Sequence, residues 1–177
     1  MVYSQSDISR NIKQEIIRPK GTKHACKCGK KACATLLCMS CWKKYRQAHH
    51  GFVVSIDFDG TIIQDGWWPS FGPLVKDADK YIKALRMDGH TIIINTLRKN
   101  SIAEDTMAFL HQVDIPFDYF NENVCYDIEI FGDSRKIAAD YYIDDRNIGG
   151  IPPWKSMYKT ILEDQIKVKQ FIKNLSI

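Results

Sequence analysis

Short apolar runs alternate with amphipathic stretches from residue 51 onward, and the two periodicities predict different elements. Val53, Val54 and Ile56 form a run with the look of a strand buried on both faces. Thr91-Ile92-Ile93-Ile94 is another such run, Tyr141-Tyr142-Ile143 reads as a strand that ends in adjacent acids, and Ile115-Pro116-Phe117 leads toward another short strand. Between them, Leu74, Ala78, Ile82 and Leu85 share one helical face, Ile102 to Gln112 reads as a second helix, and Tyr158 to Leu175 as a third. The third carries Ile161, Val168, Ile172 and Leu175 on its apolar stripe. Strand and helix in alternation predict an α/β fold with a parallel sheet and crossover helices. About thirty residues separate Thr61 from Thr91, and a helix uses half of them, so no large cap domain fits there.

Chemistry gathers where these strands end. The first run continues into Asp57-Phe58-Asp59-Gly60-Thr61, with two carboxylates one residue apart leaving the strand on the same side before a glycine turn. Crowded carboxylates repel unless a cation lies between them, which predicts Mg²⁺, a hard ion that takes oxygen ligands and keeps positions open for phosphate. Asp57 attacking phosphorus and Asp59 donating a proton to the leaving group would meet the needs of a phosphomonoesterase. The second run ends in Thr96, whose hydroxyl, with the amide of Leu97 and the side chain of Arg98, can take a phosphate oxygen. Lys136 can neutralise nucleophile and phosphate, and Tyr141-Tyr142-Ile143 ends in the adjacent acids Asp144 and Asp145. In an open parallel sheet such strand ends meet at one edge.

In this order the residues resemble the haloacid dehalogenase-like (HAD) phosphohydrolase superfamily, whose motifs are D-x-D-x-T, a strand-end Ser or Thr, a Lys and a strand-end acidic pair. The likeness spans about residues 51 to 154, and with Phe120-Asn121-Glu122-Asn123 and Arg135 to Arg146 it looks like the small HAD-like hydrolases of bacteria and their phages. The resemblance implies a Rossmann-like three-layer core with a minimal cap and an aspartyl-phosphate formed on Asp57. It implies Asp59 as general acid and base, and Mg²⁺ held by Asp57, the Asp59 carbonyl and the acidic pair. Asp145 is the favoured ligand of that pair and Asp144 its orienting neighbour; Gly60 and Thr61 belong to the phosphate-binding turn.

Ile128-Glu129-Ile130-Phe131-Gly132-Asp133 imitates the acidic strand, but only Asp144-Asp145 lies downstream of Lys136 as the family order requires. Asp133 is expected in a turn, or as the cap of a helix carrying Lys136. Gly66-Trp67-Trp68-Pro69-Ser70-Phe71-Gly72-Pro73 places three aromatics just after the catalytic turn. They either stack on a base or sugar of the substrate or pack as a satellite core on the sheet edge. Trp154 and Cys125 read as core residues.

The first fifty residues differ in kind. They hold five of the six cysteines, and Cys28, Cys33, Cys38 and Cys41 have the spacing of a small structural zinc module, with Cys26 able to replace Cys28. His24, His49 and His50 are weaker substitutes. Five clustered cysteines cannot all pair as disulfides, and polar Met1 to Arg10 is not a signal peptide, so a reduced, cytoplasmic setting is expected. Ile8, Ile12 and Ile16 share a helical face that Pro19-Lys20-Gly21 ends.

Charge divides the chain at the same place. Residues 1–50 carry eleven Lys and Arg against two Asp and Glu, a net of +9, whereas residues 51–177 carry fourteen against nineteen, a net of −5. This asymmetry makes nucleic acid the leading polyanionic partner of the first domain; the competing reading is a solvated basic face. At 177 residues, 45% apolar and with no run near the length of a membrane span, the chain reads as a basic zinc module, residues 1–50, joined at Gln47 to Gly51 to a phosphatase domain, residues 51–177. The expected activity is Mg²⁺-dependent hydrolysis of a phosphomonoester, on a nucleotide or a nucleic-acid terminal phosphate. The alternatives are a small-metabolite phosphatase with the zinc module as lid, and a nucleic-acid or protein binding module on a HAD-like scaffold.

Overall fold

The computed structural model describes residues 43–44, 47–48, 51–65, 67–125, 127–128 and 132–174. The cysteine cluster and the helix expected before it lie outside these residues. Four strands form one parallel sheet: β1 (Val53–Ile56), β2 (Thr91–Ile94), β3 (Tyr119–Phe120) and β4 (Tyr141–Ile143), in the order β3-β2-β1-β4. Val54 pairs with Ile92 on one side and Tyr141 on the other, so β1 is central and every residue of it is buried. Among the described residues, three long helices complete the α/β architecture: α1 (Ala78–Met87), α2 (Ser101–Gln112) and α3 (Trp154–Asn174).

The alternation of strand side chains divides the core into two. Val54, Ile56, Ile92 and Ile94 face all three helices, meeting Ile82 and Leu85 of α1, Leu110 of α2, and Trp154 and Ile161 of α3. Val53 and Ile93 face the other way, onto Tyr119, Val124 and Ile137. Cys125, Asp127 and Ile128 are helical, and Glu129 to Phe131 of the imitation acidic strand lie outside the described residues. No helix carries Lys136, which sits in a bend, and Asp133 instead accepts a hydrogen bond from Asn123 Nδ2 at 3.3 Å.

Two helix boundaries differ from the periodic expectation. Leu74 is not on α1: it bridges Ile63, while Gln64 N–H donates to Pro73 O and Val75 N–H to Ile62 O, closing a small loop around residues 63–74. α1 starts after Asp77, which takes a left-handed backbone with φ 67. α3 starts four residues before Tyr158, because Pro152 and Pro153 lie where a helix needs no amide donor and Ser156 N–H reaches Pro153 O. Trp154 is thereby buried, as expected of a core residue. Among the described residues no helix is long and apolar enough to cross a membrane.

Candidate active site

Every strand in a parallel sheet points the same way, so the ends of β1, β2 and β4 share one edge. Asp57 N–H donates to Ile143 O at 2.9 Å, extending the β1–β4 pairing until the two acidic segments lie side by side. Gly60 then turns the chain at φ 78. A Cβ placed there would meet Asp145 Oδ2 at 2.6 Å, so glycine lets the turn close against the second acid.

Thr61 fastens this junction. It is fully buried, its Oγ1 donates to Asp57 Oδ2 at 3.3 Å, and the same oxygen accepts from Asp145 N–H at 3.1 Å. The threonine expected at the phosphate therefore holds the two acidic strand ends together.

Asp57, Asp144 and Asp145 each offer an oxygen within 4.8 Å of the others. Asp145 Oδ1 is buried with no hydrogen-bond partner among the described residues, and Asp144 Oδ1 accepts from Arg146 N–H at 2.9 Å. Three carboxylates, oxygen donors only, and one orphaned buried oxygen suit a hard divalent cation such as Mg²⁺. Asp144 offers an oxygen to the same cluster as Asp145. Asp57 is pushed up to about 7, first by burial and then by the charges of Asp144 and Asp145, against the opposing pull of its Phe58 and Thr61 hydrogen bonds.

Beside the acids opens a cavity of about 580 Å³, lined by residues including Asp57, Asp59, Trp68, Thr96 and Leu97. Thr96 and Leu97 thus stand in its wall, beside Asp57 and Asp59. Thr96 N–H donates to Asn121 Oδ1 at 2.7 Å, and Asn121 Nδ2 donates to Arg98 O at 3.1 Å, so Asn121 fixes the loop after β2. Its left-handed backbone, φ 54, is a conformation that asparagine tolerates better than most residues.

Two expected phosphate contacts lie elsewhere. Arg98 is completely buried and pairs with both carboxylate oxygens of Asp59, Nε at 2.9 Å and Nη2 at 2.7 Å. It is absent from the cavity wall. Lys136 is exposed, with Nζ 5.7 Å from the centre of the Tyr142 ring, and it too is absent from that wall. The cavity also includes three residues not singled out from the sequence, Asp65, Asn95 and Arg146. Arg146 directly follows the acidic pair, and that adjacency was the available signal. Trp68 lines the cavity and Trp67 does not, although both rings are about half exposed.

These strand ends define an α/β protein with an acidic site at the carboxyl edge of a parallel sheet. Among solved structures the chain is similar to the conserved protein coded by a locus of Bacteroides thetaiotaomicron, at 31% identity and a TM-score of 0.58, over 64% of this chain and 91% of that one. The chain belongs to the family of that conserved protein. No protein-family model and no curated protein matches it.

Proposed function

We propose that the chain is a HAD-like, Mg²⁺-dependent phosphomonoester hydrolase that acts on a nucleotide or a nucleic-acid terminal phosphate. The observation carrying this reading is the meeting of Asp57, Asp144 and Asp145 within 4.8 Å at the wall of an open cavity that Asp59 also lines. Asp57 Oδ attacks phosphorus and the ester P–O bond breaks, the departing oxygen taking a proton from water in the open cavity and leaving hydroxide. A second water then attacks the same phosphorus while Asp59, a carboxylate paired with Arg98, takes its proton. The bond to Asp57 breaks, inorganic phosphate leaves, and Asp59 passes its proton to the hydroxide, so both carboxylates return to their starting forms.

Asp57, Asp144 and Asp145 would hold the ion. Bound there, Mg²⁺ offsets their repulsion and the charge of the transferring phosphoryl group. Thr96 and Leu97 supply hydroxyl and amide to the phosphoryl oxygens. A cavity of about 580 Å³ is in the range of sites that take nucleotide-sized ligands.

The test is release of phosphate from a panel of phosphorylated metabolites and of 3′- and 5′-phosphorylated oligonucleotides, in Mg²⁺ and in chelator. Turnover that requires Mg²⁺ and is lost in Asp57→Asn supports the reading. A wild-type protein that hydrolyses none of them in Mg²⁺ rejects it.

A further inference from the structure

Arg98 is a planar cation sealed from solvent in the wall behind the cavity. Besides the two bonds to Asp59, Nη1 donates to Pro69 O at 2.7 Å and Nη2 to Ser70 O at 3.1 Å. The guanidinium carbon lies 5.0 Å from the centre of the Phe58 ring, 4.9 Å from that of Trp68 and 5.1 Å from that of Phe71. One side chain therefore joins three pieces: the turn after β1, the loop after β2, and the aromatic segment 67–71.

Packing alone does not call for this residue. Burying a guanidinium costs several kcal/mol before its partners repay it, and apolar side chains of similar volume commonly serve stability as well or better. What an apolar residue cannot do is aim a carboxylate. The fork fixes both oxygens of Asp59, and its remaining N–H groups fix the backbone that carries Trp68, which lines the same cavity as Asp59.

We propose that Arg98 is a positioning residue that sets Asp59 and the Trp68 wall in one geometry, so that a substrate group resting on Trp68 bears on the placement of Asp59. The proposal rests on the phosphatase reading. It makes segment 67–71 part of the machinery that aims the proton-transferring group rather than a satellite core, and it favours esters whose leaving group carries a planar ring.

A double-mutant cycle on the full chain tests it, with phenyl phosphate as substrate and released phosphate as readout. Arg98→Lys keeps the charge and loses the fork. It should lower kcat about tenfold with KM within about twofold, since misplacing a general base forfeits part of its contribution. In an Asp59→Asn background the same change should alter kcat by less than about twofold, because its effect has already been removed. Trp68→Leu leaves the Arg98 fork in place and sits at a half-exposed position, which keeps the test open if Arg98→Lys fails to fold. It should show the same pattern, a several-fold loss of kcat that vanishes in Asp59→Asn. Losses of equal size in both backgrounds would overturn the coupling and leave Arg98 a structural residue of an active enzyme. Wild-type inactivity, seen before any variant is made, would overturn the phosphatase reading and this proposal with it.

Discussion

Replacing Asp57 with asparagine should make the metal-free protein more stable above neutral pH while abolishing turnover. Burial and the charges of Asp144 and Asp145 push the Asp57 carboxyl from 3.8 to about 7. Below 3.8 folded and unfolded forms both carry the proton and nothing is lost. As pH rises toward 7 the unfolded chain ionises first, so the folded state loses stability over that interval and stays destabilised above it. At 1.36 kcal/mol per pH unit the full interval would cost about 4 kcal/mol. The side chain is only partly buried, and water screens part of the effect, so about 2 kcal/mol is the expected penalty. Asparagine is isosteric, still accepts from Thr61, and carries no charge toward the other two acids.

Urea unfolding in chelator at about pH 8 and about pH 4 reads the difference directly. Asp57→Asn should exceed wild type by about 2 kcal/mol at the higher pH and by little at the lower. Mg²⁺ should reverse the order, since an ion at about a hundred times its dissociation constant stabilises the binding-competent wild type by about 2.7 kcal/mol. A variant no more stable than wild type at the higher pH, or equally favoured at both, would refute the view that three carboxylates crowd one desolvated site.

Gly60→Ala should lose Mg²⁺ affinity and about 2 kcal/mol of stability, because a Cβ at φ 78 would press on Asp145; Mg²⁺ calorimetry and thermal melting check both. His90 is buried, its Nδ1 accepts from Phe52 N–H at 3.0 Å, and burial lowers its proton affinity. Its contribution to stability is therefore present above 6.5 and lost as pH falls below it. In an Asp57→Asn background, free of the opposite carboxylate trend, unfolding at stepped pH should show that loss, and His90→Gln should flatten it. Elemental analysis of protein purified without chelator should find about one zinc per chain, lost in Cys38→Ser or Cys41→Ser.

The two inner strands, β1 and β2, were legible because burial on both faces leaves an unbroken apolar run, and the parallel order followed from the helical stretches between the strands. The positions of Asp57, Asp144 and Asp145 were legible for the same reason, since parallel strands end at one edge. Leu74 was misplaced because a bridge to Ile63 happens to fall in helical register with Ala78 and Ile82. Arg98 was misread for a deeper reason. A strand-end arginine looks the same in sequence whether it meets a phosphate or an aspartate 39 residues away, and only the fold brings Asp59 to it. Thr61 posed the same problem, its single hydroxyl being shared between Asp57 and Asp145. Arg146 escaped notice because its neighbours carried the motif.

The described residues of the first fifty bear on how a basic module would relate to the cavity. Lys43 Nζ lies 3.2 Å from Asp140 Oδ1, and Gln47 Nε2 donates to that same oxygen at 2.7 Å. Asp140 Oδ2 accepts from Val53 N–H at 2.9 Å, so this anchor sits where β1 and β4 begin. Asp57 and the acidic pair sit where those strands end, about 13 Å farther along at 3.3 Å per residue. Lys44 Nζ, 4.0 Å from the centre of the Phe171 ring, lies over the last turn of α3. The ion pair removes Lys43 from any count of cations available to a polyanion, because its charge is already committed to a buried carboxylate.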